Sequence, residues 1–301
     1  MKKRNILGMS LVGAGLFLEE AYRYLFCSRS SKLFTLLFDS KGHEENYYTF
    51  RDQAAERLKK CEHEEYTMMS DRGERLKGYY YPCGSKGKKI AFIIHGYRYD
   101  HAETGGMVYD YYKSRGIDFF CCDHTACGDS GGHFIGFDIY ETADCLRWIE
   151  FLKSKYGEDT QIILHGFSMG AATVMQMSSK CPEQVKFIIE DSGYVNAKAS
   201  LHHQVGIMYQ PLRWLNRIIA GYDINASDVT ESLLRSKLPI LFVHGQKDEL
   251  VPYENGPMLY RIYQGEKDCF FPEDTKHIES MYTSGEEYGK KIDTFVTRYI
   301  K

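Results

Sequence analysis

At 301 residues the chain has room for one large α/β domain or two small ones. A formal charge of −3, with no nucleic-acid-binding motif, leaves no electrostatic footprint for nucleic acid, and 43% hydrophobic with 26% charged residues is an ordinary globular balance. Nine scattered cysteines without a C-x-x-C pair argue against a disulfide framework or a zinc site and read as reduced, small core residues.

The chain opens on Met1-Lys2-Lys3-Arg4, followed by an apolar run from Ile6 to Leu18 that Glu19 and Glu20 interrupt. That run falls short of the roughly 20 residues that span a bilayer, and no small-residue cleavage site follows it. Apolar character resumes from Tyr22 to Phe26, so residues 1–31 read as an N-terminal apolar helix. Three settings fit: an uncleaved membrane anchor over 6–26, a helix packed on the domain, or one lying at a membrane surface. The compartment is accordingly cytoplasmic or membrane-anchored. Residues 32–74 read as a helical lead-in, because Phe50, Ala54, Leu58 and Cys61 fall at helical spacing in a densely charged stretch from Glu44 to Glu65.

From Arg75 onward, apolar strand-like runs alternate with helical patterns. The strands are expected at Arg75 to Tyr81, Ile90 to Ile94, Ile117 to Cys122, Ile162 to His165, Val185 to Ile189, Leu238 to His244 and Cys269 to Phe271. Helices are expected from Asp138 to Tyr156, from Ser168 to about Ser179 and from Glu286 to Tyr299. This alternation predicts an α/β fold with a doubly wound, mostly parallel sheet over 75–301. Residues 192–237 break the rhythm with helical, apolar-rich sequence, and an inserted helical cap explains them better than a long bare loop.

The chemistry gathers around Gln161 to Ala172, QIILHGFSMGAA. Gly166-Phe167-Ser168-Met169-Gly170 is a G-x-S-x-G between a strand and a helix, which lifts the serine hydroxyl out of the sheet on a sharp turn at a helix N-terminus. Serine needs a base, and the base needs an orienting group. Asp248 follows the strand ending at His244, and His277 lies just past the last strand. Glu249 or Asp223 remains the alternative acid, and His202, His203 and His244 the alternative bases. Chain order Ser, Asp, His is that of the α/β hydrolases.

Several motifs together resemble that superfamily, in the branch of serine aminopeptidase-like, monoacylglycerol-lipase-like and small bacterial esterase proteins. His95-Gly96-Tyr97 is similar to the family's H-G-x, Asp123 through Gly132 to its D-x-R-G-x-G-x-S-x-G loop with departures at Ala126 and Cys127, and Gly245 through Pro252 to its acid loop. The resemblance implies an α/β-hydrolase fold with Ser168 as nucleophile, Asp248 as orienting acid and His277 as base. It also implies an oxyanion hole from the backbone N–H groups of Tyr97 and Met169, and no metal or organic cofactor. A small-molecule ester is the expected partner. Tyr209, Leu212 and Trp214 in the cap are the expected pocket residues, suited to an acyl or aryl group. A peptidase or amide hydrolase is the alternative, with Glu190-Asp191 as its one acidic hint, and a non-catalytic hydrolase-fold binding protein is the third reading.

Overall fold

The computed structural model describes residues 15–28 and 43–301. Its eight strands are β1 (Glu64–Met69), β2 (Arg75–Tyr81), β3 (Lys89–Ile94), β4 (Asp118–Asp123), β5 (Gln161–Phe167), β6 (Val185–Asp191), β7 (Ile240–Val243) and β8 (Lys267–Phe270). They form one sheet in the order β1-β2-β4-β3-β5-β6-β7-β8. β2 is antiparallel to both β1 and β4, and every pairing from β4 through β3 to β8 is parallel. Parallel strands covered on both faces read as unbroken apolar runs, which is why KIAFII and ILFV are so plain in the sequence.

Alternate side chains of those strands feed two cores. Phe92, Phe120 and Ile188 pack with Trp148 of helix Ile139–Tyr156, with helix Met169–Met177 and with Leu259 of helix Asn255–Ile262. On the other face Phe119, Ile163 and Phe187 pack with helices Glu45–Lys59, His101–Lys113 and Ser280–Tyr299. The parallel strands all end on one edge, and the loops leaving that edge carry the site.

Several sequence expectations shift. The stretch read as a helical lead-in ends its helix at Lys59 and then forms β1, a charged strand paired only to β2. That helix is amphipathic, burying Tyr47, Ala54, Ala55 and Leu58 against the domain while most of its charged residues face solvent. Helices His101–Lys113 and Asn255–Ile262 are additional to those expected. Between β6 and β7 the chain forms helices Ala197–Val205, Tyr209–Ile219 and Thr230–Arg235.

At the N-terminus, residues 15–26 are helical and bury Ala21, Tyr22, Leu25 and Phe26 against the domain. The connection is also polar: Ile135 N–H donates to the Phe26 carbonyl at 2.8 Å, and the Tyr97 hydroxyl to the Tyr24 carbonyl at 2.9 Å. Among the described residues no helix is long and apolar enough to cross a membrane. Residues 6–14 of the expected anchor lie outside the described residues.

Candidate active site

Ser168 sits where β5 turns into helix Met169–Met177, with φ 54° and ψ −115°, a conformation that costs a non-glycine residue strain. The turn is held by backbone. Ser168 N–H donates to the Asp191 carbonyl at 2.8 Å, and the Ser168 carbonyl accepts from Ala172 N–H at 3.1 Å. Gly170 makes the turn passable: a Cβ there would lie 2.0 Å from the Ile94 carbonyl oxygen at the end of β3. This close approach brings the β3 loop to the serine, so that Gly96 lies against it, with the Ser168 Cβ 3.2 Å from where a Gly96 side chain would begin. Among the described residues the N–H groups of Tyr97 and Met169 donate to no protein acceptor.

Asp248 and His277 come from the loops after β7 and β8, and backbone packing joins those loops. Gln246 N–H donates to the Pro272 carbonyl at 3.0 Å and Lys247 N–H to the Thr275 carbonyl at 2.9 Å. Gly245 lies so close that a Cβ would stand 2.3 Å from that Thr275 oxygen. The result is a hydrogen-bonded line. The Ser168 hydroxyl meets His277 Nε2 at 2.8 Å, and His277 Nδ1–H donates to Asp248 Oδ2 at 2.7 Å. The other carboxylate oxygen accepts from the N–H groups of Leu250 at 3.0 Å and Val251 at 2.9 Å.

Burial by itself would raise the pKa of Asp248, but the charge interaction with His277 and hydrogen bonds from His244 and His277 outweigh it. The carboxyl is held well below the usual carboxylate range, and so remains an anion behind the imidazole. His244, four residues before Asp248, is 3.2 Å from the same Oδ2. The sequence offers it only as an alternative base; its i, i+4 spacing to the acid at a strand end is the signal that it supports Asp248 instead. Glu249 lines the cavity rim, and Asp223 pairs with Arg213 at 2.6 Å; neither is hydrogen-bonded to His277.

As bounded by the described residues, Ser168 and His277 open into a cavity of about 2060 Å³. Its apolar wall includes Phe137, Tyr194, Leu201, Met208, Leu212 and Val251, and its rim carries Arg51, Arg98, Glu103 and Lys276. Leu212, one of the expected pocket residues, lines this cavity. Tyr209 and Trp214 are corrections: Tyr209 is buried behind the lining, its hydroxyl on Asn225, and Trp214 is 64% exposed on the outer side of its helix. Apolar spacing marks that helix as amphipathic without fixing its rotation. The wall also takes in Ala21, Tyr24 and Leu25 from the N-terminal helix and Tyr48 and Arg51 from helix Glu45–Lys59, which no sequence motif marks.

Glu190 and Asp191, the acidic pair at the end of β6, do not line this cavity. Both are buried. Burial raises Glu190 well above the carboxylate range and Asp191 to about 6, against hydrogen bonds from Gly193 N–H and the Ser192 hydroxyl.

A family model described as serine aminopeptidase, S33, matches residues 85–237, just over half of the chain. The uncharacterized protein YqkD of Bacillus subtilis is 24% identical over 250 residues, covering 80% of this chain and 81% of its own. Among solved structures, an esterase of Pyrococcus furiosus, Pf2001, superposes with a TM-score of 0.67 at 20% identity, over 82% of this chain and 94% of its own. Est1E of Butyrivibrio proteoclasticus, solved with ferulic acid bound, does so with a TM-score of 0.60 at 18% identity, over 78% and 99%. With the sheet order, the serine turn and the family match in agreement, the chain belongs to the serine aminopeptidase S33 family and is an α/β hydrolase.

Proposed function

We propose that the protein is a serine hydrolase that cleaves carboxylic esters through an acyl-enzyme. The observation that carries this reading is the line of two hydrogen bonds from Ser168 through His277 to Asp248, at 2.8 and 2.7 Å. His277 takes the hydroxyl proton as Ser168 attacks the ester carbonyl, while the Asp248 anion holds the ring in the tautomer that offers Nε2 to the serine. The N–H groups of Tyr97 and Met169 receive the oxyanion; losing one such donor costs about 3 to 4 kcal/mol of barrier. His277 then returns the proton to the leaving alcohol and activates the water that releases the acid.

An ester fits better than a peptide. The wall beside Ser168 is apolar and aromatic, as an acyl chain or aryl group prefers. The acidic pair Glu190-Asp191 does not face the cavity, and of the carboxylates that do, Glu103 pairs with Arg51 at 3.5 Å, so a free amino terminus would have to be met by Glu249 or Glu254. Solved structures of the same fold include proteins described as esterases. The test is hydrolysis of p-nitrophenyl esters from acetyl to palmitoyl by the wild type and Ser168→Ala, with aminoacyl-nitroanilides in parallel. Ester turnover that vanishes in the variant supports the reading, and the chain-length optimum sizes the pocket. Turnover of nitroanilides alone would replace it with a peptidase, and failure to label with a fluorophosphonate probe would leave a non-catalytic fold.

A further inference from the structure

An amphipathic helix on a water-soluble domain turns its apolar arc inward. Helix Tyr209–Ile219 does so only in part. It buries Tyr209, Leu212 and the polar Asn216, while Trp214, Ile218 and Ile219 are 64%, 61% and 50% exposed. Ile207, just before it, is 93% exposed. Arg213 and Arg217 occupy the polar flank, where Asp223 lies 2.6 and 3.8 Å from them. The N-terminal helix touches this one, its Tyr22 hydroxyl donating to Asn216 Oδ1 at 3.4 Å. That helix in turn exposes Leu16 and Phe17, and Phe17 lines the Ser168 cavity. Six of the eleven large apolar side chains exposed among the described residues thus fall on two touching segments at the cavity.

The sequence running into this face says what covers it. Upstream of residue 15 stands Ile6-Leu7-Gly8-Met9-Ser10-Leu11-Val12-Gly13-Ala14, preceded by Lys2-Lys3-Arg4. An apolar segment with a basic end that leads in sequence into exposed Leu16 and Phe17, on a helix touching one with exposed Trp and Ile flanked by arginine, has the composition of an interfacial element at anionic headgroups. We infer that the face formed by residues 207–219 and the start of the N-terminal helix docks on an anionic lipid surface. The cavity then opens onto the membrane, and its substrate is a lipid ester, a statement about substrate that rests on the ester reading above.

The chain carries its own reporter. Of its two tryptophans, Trp148 is fully buried and Trp214 lies on the docking face, so a lipid-induced change in emission reports Trp214. Full-length protein would be mixed with vesicles of phosphatidylcholine, with and without phosphatidylglycerol. A blue shift, quenching by brominated acyl chains, and tighter, salt-sensitive binding to the anionic vesicles are expected. The double variant Trp214→Glu with Ile218→Glu, at exposed positions, should co-sediment at least about tenfold more weakly while hydrolysing p-nitrophenyl acetate within about twofold of wild type. Wild-type binding by that variant would overturn the proposal, assigning attachment to residues 1–14 alone. Wild type that ignores both vesicles would also overturn it; light scattering then tells a second copy on this face from the chain's own N-terminal segment. Failure of the ester reading shows separately, as vesicle binding without turnover of any ester.

Discussion

Among the described residues, two sites with buried carboxylates invite comparison: Asp248 beside Ser168, and Asp138 with Glu141 beneath the helices between β6 and β7. Burial alone raises the pKa of both. At Asp248 the charge of His277 and hydrogen bonds from His244 and His277 reverse that effect, and the group stays ionised. Under the helices the donors are neutral: the Ser227 hydroxyl reaches Asp138 at 2.6 Å and Gly136 N–H reaches Glu141 at 2.8 Å. Arg72 is committed to Asp144 at 3.0 Å. Burial therefore dominates, raising Asp138 well above the carboxylate range and Glu141 to about 7. The first region spends its burial on a fixed charge aimed at a ring. The second uses protonated acids as ties, Asp138 fastening the segment after β6 to the start of helix Ile139–Tyr156.

The largest effects belong to the first region. Ser168→Ala should lower kcat/KM on p-nitrophenyl butyrate by about 10⁴-fold or more with an unchanged melting temperature, since the variant removes the proposed nucleophile and little packing. Asp248→Asn keeps the shape and removes the charge; kcat should fall about 10⁴-fold, because the imidazole loses its tautomer. The same variant should be less acid-sensitive. A carboxylate whose pKa is lower folded than unfolded contributes stability above the unfolded value, and that contribution is lost as pH falls through the folded one. The loss falls below the ordinary carboxylate value, so denaturant midpoints followed from about pH 6 down to about pH 2 read it. Next in size is Gly170→Ala. Its Cβ would fall 2.0 Å from a backbone oxygen of the neighbouring strand, so there is no side chain to move aside. A loss of about 3 kcal/mol or more, or no soluble protein, is expected in urea unfolding.

These contrasts explain what the sequence discloses. Ser168, Asp248 and His277 each follow an apolar strand run, and a parallel sheet delivers strand ends to one edge, so position along the chain predicts proximity. The parallel core is legible for the same reason: strands buried on both faces cannot hide their composition. The second region follows no such rule. Rotation of helix Tyr209–Ile219 depends on Asn216, whose side chain is held by Tyr22 and by the Tyr222 carbonyl, and spacing alone puts Trp214 inward when it faces out. β1 is hidden because a strand with one partner and an alternating, mostly exposed pattern, EEYTMM, reads as the tail of a charged helix. The N-terminal helix's place in the cavity wall is set by carbonyl groups that accept from Tyr97 and Arg98, contacts made by backbone and so without a sequence signature.

Glu141 gives the finest test of the comparison. Its proton affinity is high in the folded chain, about 7, and ordinary in the unfolded one, 4.5. Between those values the native state holds a proton that the unfolded state has released, so stability is full at and below pH 4.5 and declines as pH rises toward 7 and beyond. The shift amounts to up to about 3 kcal/mol, spread over that interval. Glu141→Gln keeps an oxygen to accept the Gly136 N–H and cannot ionise. It should match wild type near pH 5 and exceed it by about 2 kcal/mol at pH 8, seen as a melting temperature that no longer falls across the range. A variant equally weakened at both pH values would mean that Glu141 is stabilised as an anion after all. The two buried carboxylate regions would then differ in position only, and the neutral-donor account of the segment after β6 would be lost.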